Sequence, residues 1–406
     1  MHPFPTSPHG PAARRLRAAL LATVAATLSL LGSTTLPSAA AHGEVRQTWA
    51  WGYNQTGALG GTPAKVSRLT PTPIAGLTGA EVAALAAGGA NSESAYGLAL
   101  LGNGTVESWG DNSKAQLGNG TTESFSTPGT VAGLEDVTAI AAGAMHGLAL
   151  LRDHTVMAWG TNEYGQLGDG SKTTRYVPVP VAGLSGVRAI AAGEYHNLAL
   201  MRDGTVKSWG RNTYGQLGTG GKEDRTFPAT VPGLRNVRAI AAGGGFSLAV
   251  LTDGTVRAWG SNSNGQLGNL AGGNGVESLS PVTVAGLRGA VGIAAGDWHS
   301  LALMADGTVQ SWGRGGDGQL GDGGLIDRNA AAAVPGLRGV VALAGGSLHS
   351  LALLGDGTVL SWGRGENGSL GDGTTTRRPT PGPVSALPGG IRMIAASIGT
   401  LTSYAR

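Results

Sequence analysis

The stretch Ile190–Gly218, IAAGEYHNLALMRDGTVKSWGRNTYGQLG, decides the fold, because it recurs with small changes along almost the whole chain. Each copy carries a Trp-Gly pair, followed by x-Asn-x-x-Gly-Gln-Leu-Gly or an approximate match to it, and the pairs are spaced by 58, 50, 50, 50, 53 and 50 residues. A fixed period of this size indicates a solenoid, a propeller or a repeat array. The repeated tryptophans are Trp51, Trp109, Trp159, Trp209, Trp259, Trp312 and Trp362.

An Asp-Gly pair lies between two alternating apolar runs in most copies, as at Asp203-Gly204. Such a pair predicts a tight hairpin, because glycine adopts the positive φ of the turn without strain. Two copies differ: one has Asn103-Gly104, and the other has Asp153-His154, where the histidine must adopt the turn conformation. We count about four short strands per copy, which is the content of one propeller blade.

The pattern AAGxxHxLALxxDGTVxxWGxNxxGQLG resembles the repeat of the regulator of chromosome condensation family, over roughly residues 48–406. The resemblance implies an all-β, seven-bladed propeller of four-stranded antiparallel blades. Thr48–Gly60 carries only the second half of a copy, and Ile394–Ala405 carries only the first half, with Thr400 in the place of the histidine. We therefore predict that the N- and C-terminal strands pair within one blade and close the ring.

The first 41 residues have the pattern of a secretory signal peptide. Three arginines precede the apolar run Ala18–Gly32, and Ala39-Ala40-Ala41 offers a cleavage site. The run is short and rich in small residues, which disfavours a retained membrane anchor. We predict a secreted bacterial protein with one domain, residues 42–406, and no stable membrane insertion; Arg14-Arg15 leaves a twin-arginine route open beside general secretion.

The charge balance argues against a nucleic-acid partner. The chain has 28 basic and 25 acidic residues, and the predicted signal peptide holds three arginines and no acid, which leaves 25 of each. No basic tail or patch then remains to bind phosphates. The chain has no cysteine, and a propeller of this size can bury a large core without disulfides.

Two repeated side chains are predicted to be structural. The seven tryptophans are large enough to pack between adjacent blades. We favour this structural role over the alternative, in which their rings stack against carbohydrate. One histidine position recurs, but equivalent residues of successive blades lie too far apart to share one metal ion. We predict that these histidines bond the backbone at a strand start: His146, His196, His299 and His349. Tyr96 and Phe246 occupy the same position in other copies.

No cofactor, metal site or catalytic residue is predicted. The segment Gly313–Gly323 superficially resembles a calcium-binding nonapeptide repeat, but it is in register with loops that lack aspartate. Its Asp and Gly residues are explained by turn chemistry. The sequence shows no HExxH, G-x-S-x-G or phosphate-loop motif. We therefore expect a non-catalytic protein.

Two variable sets are the candidate partner-binding residues, because aromatic, arginine and other large side chains at variable loop positions suit protein recognition. The first set precedes the repeat histidine: Met145, Glu194, Tyr195, Asp297, Trp298 and Leu348. The second set lies about sixteen residues past each tryptophan: Arg175, Tyr176, Arg225, Phe227, Arg328 and Arg378. The alternatives are local packing for the first set and, for the arginines, pairing with Glu223, Asp224 or Asp327.

The loops of a four-stranded antiparallel blade alternate between the two faces of a propeller, so both sets are predicted to share one face. The sequence favours a secreted, monomeric, non-catalytic scaffold that binds another protein through this face, as an extracellular inhibitor or adaptor. The alternative is a propeller that binds cell-wall carbohydrate, or a lyase- or hydrolase-like propeller enzyme whose site is assembled from loops.

Overall fold

A computed structural model describes residues 47–61, 66–91, 94–271 and 276–406. Within these ranges the chain forms seven four-stranded antiparallel sheets, as predicted. In chain order the strands are β1 (Trp49–Gly52) and β2 (Arg68–Pro73); β3 (Val82–Gly88), β4 (Tyr96–Leu101), β5 (Val106–Gly110) and β6 (Phe125–Thr130) of blade 1; β7 (Val137–Ala142), β8 (His146–Leu151), β9 (Val156–Gly160) and β10 (Arg175–Pro180) of blade 2; β11 (Val187–Ala192), β12 (His196–Met201), β13 (Val206–Gly210) and β14 (Arg225–Thr230) of blade 3; β15 (Val237–Ala242), β16 (Phe246–Leu251), β17 (Val256–Ser261) and β18 (Glu277–Thr283) of blade 4; β19 (Ala290–Ala295), β20 (His299–Met304), β21 (Val309–Gly313) and β22 (Arg328–Ala333) of blade 5; β23 (Val340–Gly345), β24 (His349–Leu354), β25 (Val359–Gly363) and β26 (Arg378–Pro383) of blade 6; and β27 (Ile394–Ala396) and β28 (Thr402–Ala405). A short 3-10 turn spans Glu366–Gly368.

The strands of each blade follow one another from the inside to the outside of the ring. In blade 3 the order is β11-β12-β13-β14, and the other blades repeat it. The first strands of successive blades contact one another and line a central channel. The fourth strands lie at the outer rim.

The ring is closed by a seventh blade built from both ends of the described chain. Its strand order is β2-β1-β28-β27, with Trp49 opposite Ala405. The predicted closure is therefore confirmed. The predicted histidine-equivalent residue is wrong, because Thr402 rather than Thr400 lies opposite Gly52, as His349 lies opposite Gly363 in blade 6.

The predicted hairpin turns adopt the left-handed conformation that their sequences require. Gly204 has a φ of 78°, and its amide donates to the carbonyl of Met201 at 3.0 Å. His154 has a φ of 69° in the same position of blade 2. Its ring Nδ1 lies 3.1 Å from the carbonyl oxygen of Val187, a contact that a glycine could not make.

The seven repeated tryptophans join neighbouring blades, as predicted, and all are fully buried. The indole N–H of Trp209 donates to the backbone carbonyl of Gln166 in the preceding blade, at 3.0 Å. The other six donate in the same way: Trp51 to Ser369, Trp109 to Ala58, Trp159 to Gln116, Trp259 to Gln216, Trp312 to Gln266 and Trp362 to Gln319. Each tryptophan therefore fills the space between two sheets and satisfies a buried carbonyl there.

The repeated histidines bond to side chains of the next blade, not to the backbone as the sequence analysis expected. His196 Nε2 lies 2.9 Å from Ser247 Oγ, and that hydroxyl donates to the carbonyl of Gln216 at 2.8 Å. Because the serine proton is used there, the serine oxygen accepts from the histidine, which is then the neutral Nε2–H tautomer. Burial lowers the pKa of His196 to about 3, so the ring stays neutral. The other three pairs are His146–Asn197, His299–Ser350 and His349–Ser403.

A second set of contacts ties the blades together near the rim. The amide of Gly170, in the long loop of blade 2, donates to the carbonyl of Thr226 at the start of the outer strand of blade 3, at 3.0 Å. Equivalent bonds join five further neighbouring pairs: Gly120–Tyr176, Gly220–Leu279, Leu270–Asn329, Gly323–Pro379 and Gly373–Leu69. The long loops are therefore fixed to the next blade.

The predicted signal peptide lies outside the described residues. Among the residues that the structure does describe, no helix has the length and apolar character needed to cross a membrane.

Replacing Trp209 by alanine should lower the free energy of unfolding by about 3–5 kcal/mol, because it leaves a cavity between blades 2 and 3 and removes one of the two hydrogen bonds that the carbonyl of Gln166 accepts. Urea unfolding monitored by circular dichroism measures this. Ile326→Ala is the control, since Ile326 is 79% exposed and its truncation should change stability by less than about 0.5 kcal/mol. Equal stability of Trp209→Ala and the parent protein would contradict the core assignment.

Candidate functional site

Both candidate sets lie on one face of the propeller, which we call the upper face. It carries the inner loops, between the first and second strands of each blade, and the outer loops, between the third and fourth. Because adjacent strands are antiparallel, these two loops emerge at the same end of the blade. The hairpin turns and the blade-to-blade connections form the opposite, lower face.

The inner loops form a ring because neighbouring loops hydrogen-bond to one another. The amide of Ala144 donates to the carbonyl of Glu194 at 3.0 Å, and the amide of Gly244 donates to the carbonyl of Asp297 at 3.3 Å. The hydroxyl of Ser347 donates to the carboxylate of Asp297 at 2.6 Å. The predicted residues of this set are half-buried: Met145, Glu194, Tyr195, Asp297, Trp298 and Leu348. The ring therefore presents them from a rigid base.

Three tyrosines and an arginine come together above blades 2 and 3. In this tyrosine–arginine cluster the rings of Tyr164 and Tyr195 are 5.3 Å apart at an angle of 60°. The guanidinium carbon of Arg211 lies 4.9 Å from the centre of Tyr164, 5.8 Å from Tyr195 and 6.0 Å from Tyr214. Such distances allow cation–π attraction. The cluster is a preformed patch of aromatic and cationic surface.

The sequence analysis found only Tyr195 of this cluster. Arg211 directly follows the Trp-Gly pair, and its amide donates to the carbonyl of Tyr195 at 2.9 Å, which places the two residues side by side. Tyr164 and Tyr214 each precede a Gly-Gln-Leu-Gly sequence. Tyrosine at that position in two neighbouring copies, beside a variable residue after Trp-Gly, was the available signal.

Two carboxyl groups of the ring have raised pKa values. Burial and, to a smaller extent, the charge of Asp297 raise the pKa of Glu194 to about 7, whereas the charge of Arg211 opposes the shift. Burial also raises the pKa of Asp297 to about 6, although the hydrogen bond from Ser347 favours the charged form. The centre of the upper face therefore changes charge near neutral pH.

The outer loops are built around the asparagine of the Trp-Gly-x-Asn sequence. In blade 3 the side-chain oxygen of Asn212 accepts from the amide of Leu217, and its side-chain nitrogen donates to the carbonyl of Gly221, both at 2.9 Å. Asp224 accepts the backbone amide of Asn212 at 2.8 Å. Asp224 therefore stabilises the turn of its own loop.

Three of the four predicted arginines are paired within their own outer loops. Each pairs with an aspartate six residues before it: Arg175 with Asp169 at 2.7 Å, Arg328 with Asp322 at 2.5 Å and Arg378 with Asp372 at 3.1 Å. The expected pairing with Glu223, Asp224 or Asp327 is wrong. These three arginines therefore stabilise loops and present only part of their charge to a partner.

Arg225 differs from the other three arginines because Thr219 takes the place of the aspartate in its loop. Arg225 is exposed. Phe227 and Tyr176 are 54% and 50% exposed, and Phe227 lies against Gly170 of the neighbouring loop. Arg225, Phe227 and Tyr176 are therefore the accessible members of the second set, and they lie on blades 2 and 3, as the tyrosine–arginine cluster does.

In residues 47–61, 66–91, 94–271 and 276–406, no three His, Cys, Asp or Glu side chains are grouped so as to hold a metal ion. The upper face instead offers aromatic rings, an arginine held among them and buried acids. These groups define a contact surface on a rigid seven-bladed propeller.

Comparison with models of known protein families identifies the family of this propeller. The model of the RCC1-like domain matches residues 38–285, and models of the regulator of chromosome condensation repeat match residues 290–319 and 340–369, and residues 306–353 and 356–405. The chain therefore belongs to the RCC1-like domain family. A search of curated proteins finds no match.

Solved structures agree with this assignment. Prp20p from Saccharomyces cerevisiae, described with its binding to Gsp1p and histones, is 27% identical, with a TM-score of 0.78 over 89% of this chain and 91% of that one. Yeast RCC1 (Prp20) with Kap60 bound is 25% identical, with a TM-score of 0.79 over 93% and 95%. Human WBSCR16, 24% identical, shares the fold, with a TM-score of 0.77 over 88% and 98%.

The free energy of unfolding should fall less steeply between about pH 4.5 and 7 when Glu194 is replaced by glutamine. A carboxyl whose pKa is raised on folding favours the folded state while protonated, so its contribution is complete below the unfolded pKa of 4.5. The contribution is lost as the pH rises through about 7. Urea midpoints at half-unit pH steps measure the effect.

The four buried histidines make the protein more stable as the pH rises, opposite to the effect of Glu194, because burial lowers their pKa values. The informative quantity is therefore the difference between Glu194→Gln and the parent protein at each pH. Parallel pH curves for the two proteins would contradict the raised pKa of Glu194.

Proposed function

We propose that this chain is a secreted, non-catalytic scaffold that binds another protein through the upper face of blades 2 and 3. The tyrosine–arginine cluster is the observation that carries the proposal. Tyrosine and arginine are enriched among the residues that dominate protein–protein binding energies. Two solved relatives support a protein partner, since Prp20p is described with Gsp1p and histones and, in a second structure, with Kap60.

The cluster is suited to tight contact because its members are held in place before binding. The backbone bond between Arg211 and Tyr195 and the three surrounding rings restrict the arginine side chain. A restricted side chain loses less conformational entropy when a partner covers it. Arg225, Phe227 and Tyr176 extend the same surface toward the rim of these two blades.

The proposed role is that of an extracellular inhibitor or adaptor which acts as a monomer and needs no cofactor. After removal of the predicted signal peptide, the chain carries 25 basic and 25 acidic residues, which provides no excess charge for a nucleic-acid partner.

A second candidate function is binding of cell-wall carbohydrate. Tyr195 and Glu194 are adjacent, half-buried and on the same ring of loops, so an aromatic face and a carboxyl group are available side by side. A glycan site uses such a combination. The binding experiment below separates this candidate from the first.

Replacing Tyr195 and Arg211 together by alanine should abolish capture of the partner, because it removes the centre of the cluster. Immobilised residues 42–406 would be exposed to culture fluid and solubilised envelope of the producing cells, and captured proteins identified by mass spectrometry. We expect at least one protein that the parent captures and the double variant does not.

The matched control is Arg235→Ala with Arg338→Ala, which changes two exposed residues of the lower face. It should capture the same protein as the parent. Circular dichroism melts check that all three proteins are folded. Capture by the parent and both variants alike would contradict the proposed surface, and retention of cell-wall glycan without any protein would favour the carbohydrate candidate.

Export should depend on the apolar run of the predicted signal peptide. Expressed in a bacterium, the full chain should appear outside the cytoplasm with its N-terminus near residue 42, as intact-mass analysis would show. Leu28→Arg with Leu30→Arg interrupts the run and should leave the uncleaved chain in the cytoplasm. An exported chain that keeps residues 1–41 would refute cleavage.

A further inference from the structure

The central channel contains a cavity of about 1120 Å³ that extends toward the lower face. Its lining begins at the hairpin turns of that face, with Gly102, Gly104 and His154, and ends at the last residues of the inner strands and Ile398. Ile398, between β27 and β28, is the one residue of the described inner loops that lines it. The cavity is therefore approached from the lower face, away from the tyrosine–arginine cluster.

The body of the cavity is lined mainly by alanines and a few larger apolar side chains, including Leu85, Ile140 and Ile394. Small side chains leave the space open. Only one edge of each inner strand is paired within its sheet. The channel walls therefore consist mainly of small apolar groups, which leave room for a compact organic molecule.

All the charged side chains that line the cavity can be cationic. They are Arg152, Arg188, Arg202, Arg392 and His154, and the described lining contains no aspartate or glutamate. Three of the arginines are exposed and form no ion pair with a described carboxylate: Arg188, Arg202 and Arg392. The charged side chains that face the cavity at its mouth are therefore arginines.

Four acids lie near the mouth but outside the residues that line the cavity. Asp136 pairs with Arg152 at 3.1 Å, but both side chains are at least 70% exposed, and such a pair is weak. Asp153 and Asp203 accept hydrogen bonds from the threonines of their own hairpin turns. Glu81 lies against Gly102, beside the lining.

We propose that the cavity binds a small organic anion, with a carboxylate or phosphate group among Arg188, Arg202 and Arg152 and an uncharged body inside the channel. Guanidinium groups match the geometry of these anions with paired N–H donors. A largely apolar cavity with a few charged groups at one end is the usual form of a small-molecule site. This site is separate from the protein-binding face and does not depend on it.

The first test uses two fluorescent probes of similar shape that differ in charge. Anilinonaphthalene sulfonate carries an anionic group, and N-phenylnaphthylamine lacks it. The parent protein, residues 42–406, should bind the sulfonate at one saturable site with a blue-shifted emission, and should bind the uncharged probe at least about tenfold more weakly. Equal affinity for both probes, or binding without a blue shift, would overturn the proposal.

Variants then locate the site. Arg188→Ala with Arg202→Ala should weaken sulfonate binding at least about tenfold, without changing the melting temperature. Arg235→Ala with Arg338→Ala removes two exposed arginines of the same face that do not line the cavity, and binding should be unchanged. Tyr195→Ala with Arg211→Ala should also bind the probe normally. Loss of binding only in this last variant would place the probe on the upper face and refute the channel site.

Competition identifies the class of anion. Benzoate and phenyl phosphate, each with a compact aromatic body, would be titrated against the bound sulfonate probe, with aniline as the uncharged control. Displacement by one acid or both, and not by aniline, supports an anion site and shows which group it prefers. Failure of both acids to displace the probe would overturn the proposal.

Discussion

The structure depends on one joint that recurs at every contact between blades: the indole N–H of a tryptophan donates to a backbone carbonyl of the preceding blade. In blade 3 the bond joins Trp209 to Gln166 at 3.0 Å. The ring fills the wedge between two sheets, and its single polar atom meets a carbonyl that water cannot reach. Apolar burial and hydrogen-bond satisfaction thus coincide, so one residue type can repeat seven times without leaving an unpaired indole.

The histidine network is built on the same carbonyl. The carbonyl of Gln216 accepts from both Trp259 and Ser247, and Ser247 accepts from His196. A carbonyl oxygen can accept two hydrogen bonds. Because the tryptophan approaches from one side, the second lone pair of the oxygen is left for the serine hydroxyl. In blade 1, Tyr96 replaces the histidine. The residue of blade 2 at the position of the partner serine is Gly147, which has no side chain to bond, so the tyrosine hydroxyl donates to the carbonyl of His146 instead. The position is therefore defined by its role in blade contact, which explains why it tolerates different side chains.

The repeat made the fold and the tryptophan contacts predictable, because each copy carries its own turns and its own core residue. Closure was predictable for the same reason, but the register of the last strand was not: the segment before Thr402 does not follow the repeat spacing, so the alignment at Thr400 was two residues out. In the outer loops, Asp327 is next to Arg328 in sequence, yet Arg328 pairs with Asp322, six residues away, because the loop folds back on itself. The tyrosine–arginine cluster combines residues 47 and 50 apart, which a reading of one copy at a time separates.

The two faces are free to differ because the joints lie between them. Side chains that hold the blades together are buried and repeat, whereas most side chains at the loop tips contribute little to those joints and can vary in each copy. Glu194 is an intermediate case: its backbone amide and carbonyl belong to the ring of inner loops, while its half-buried carboxyl group is repelled by the charge of Asp297, at a cost in stability when both are charged. A scaffold that tolerates such a pair must hold its loops by other means. The backbone bonds from loop to loop supply that support, and the same rigidity keeps Arg211 and its three tyrosines in place without a partner.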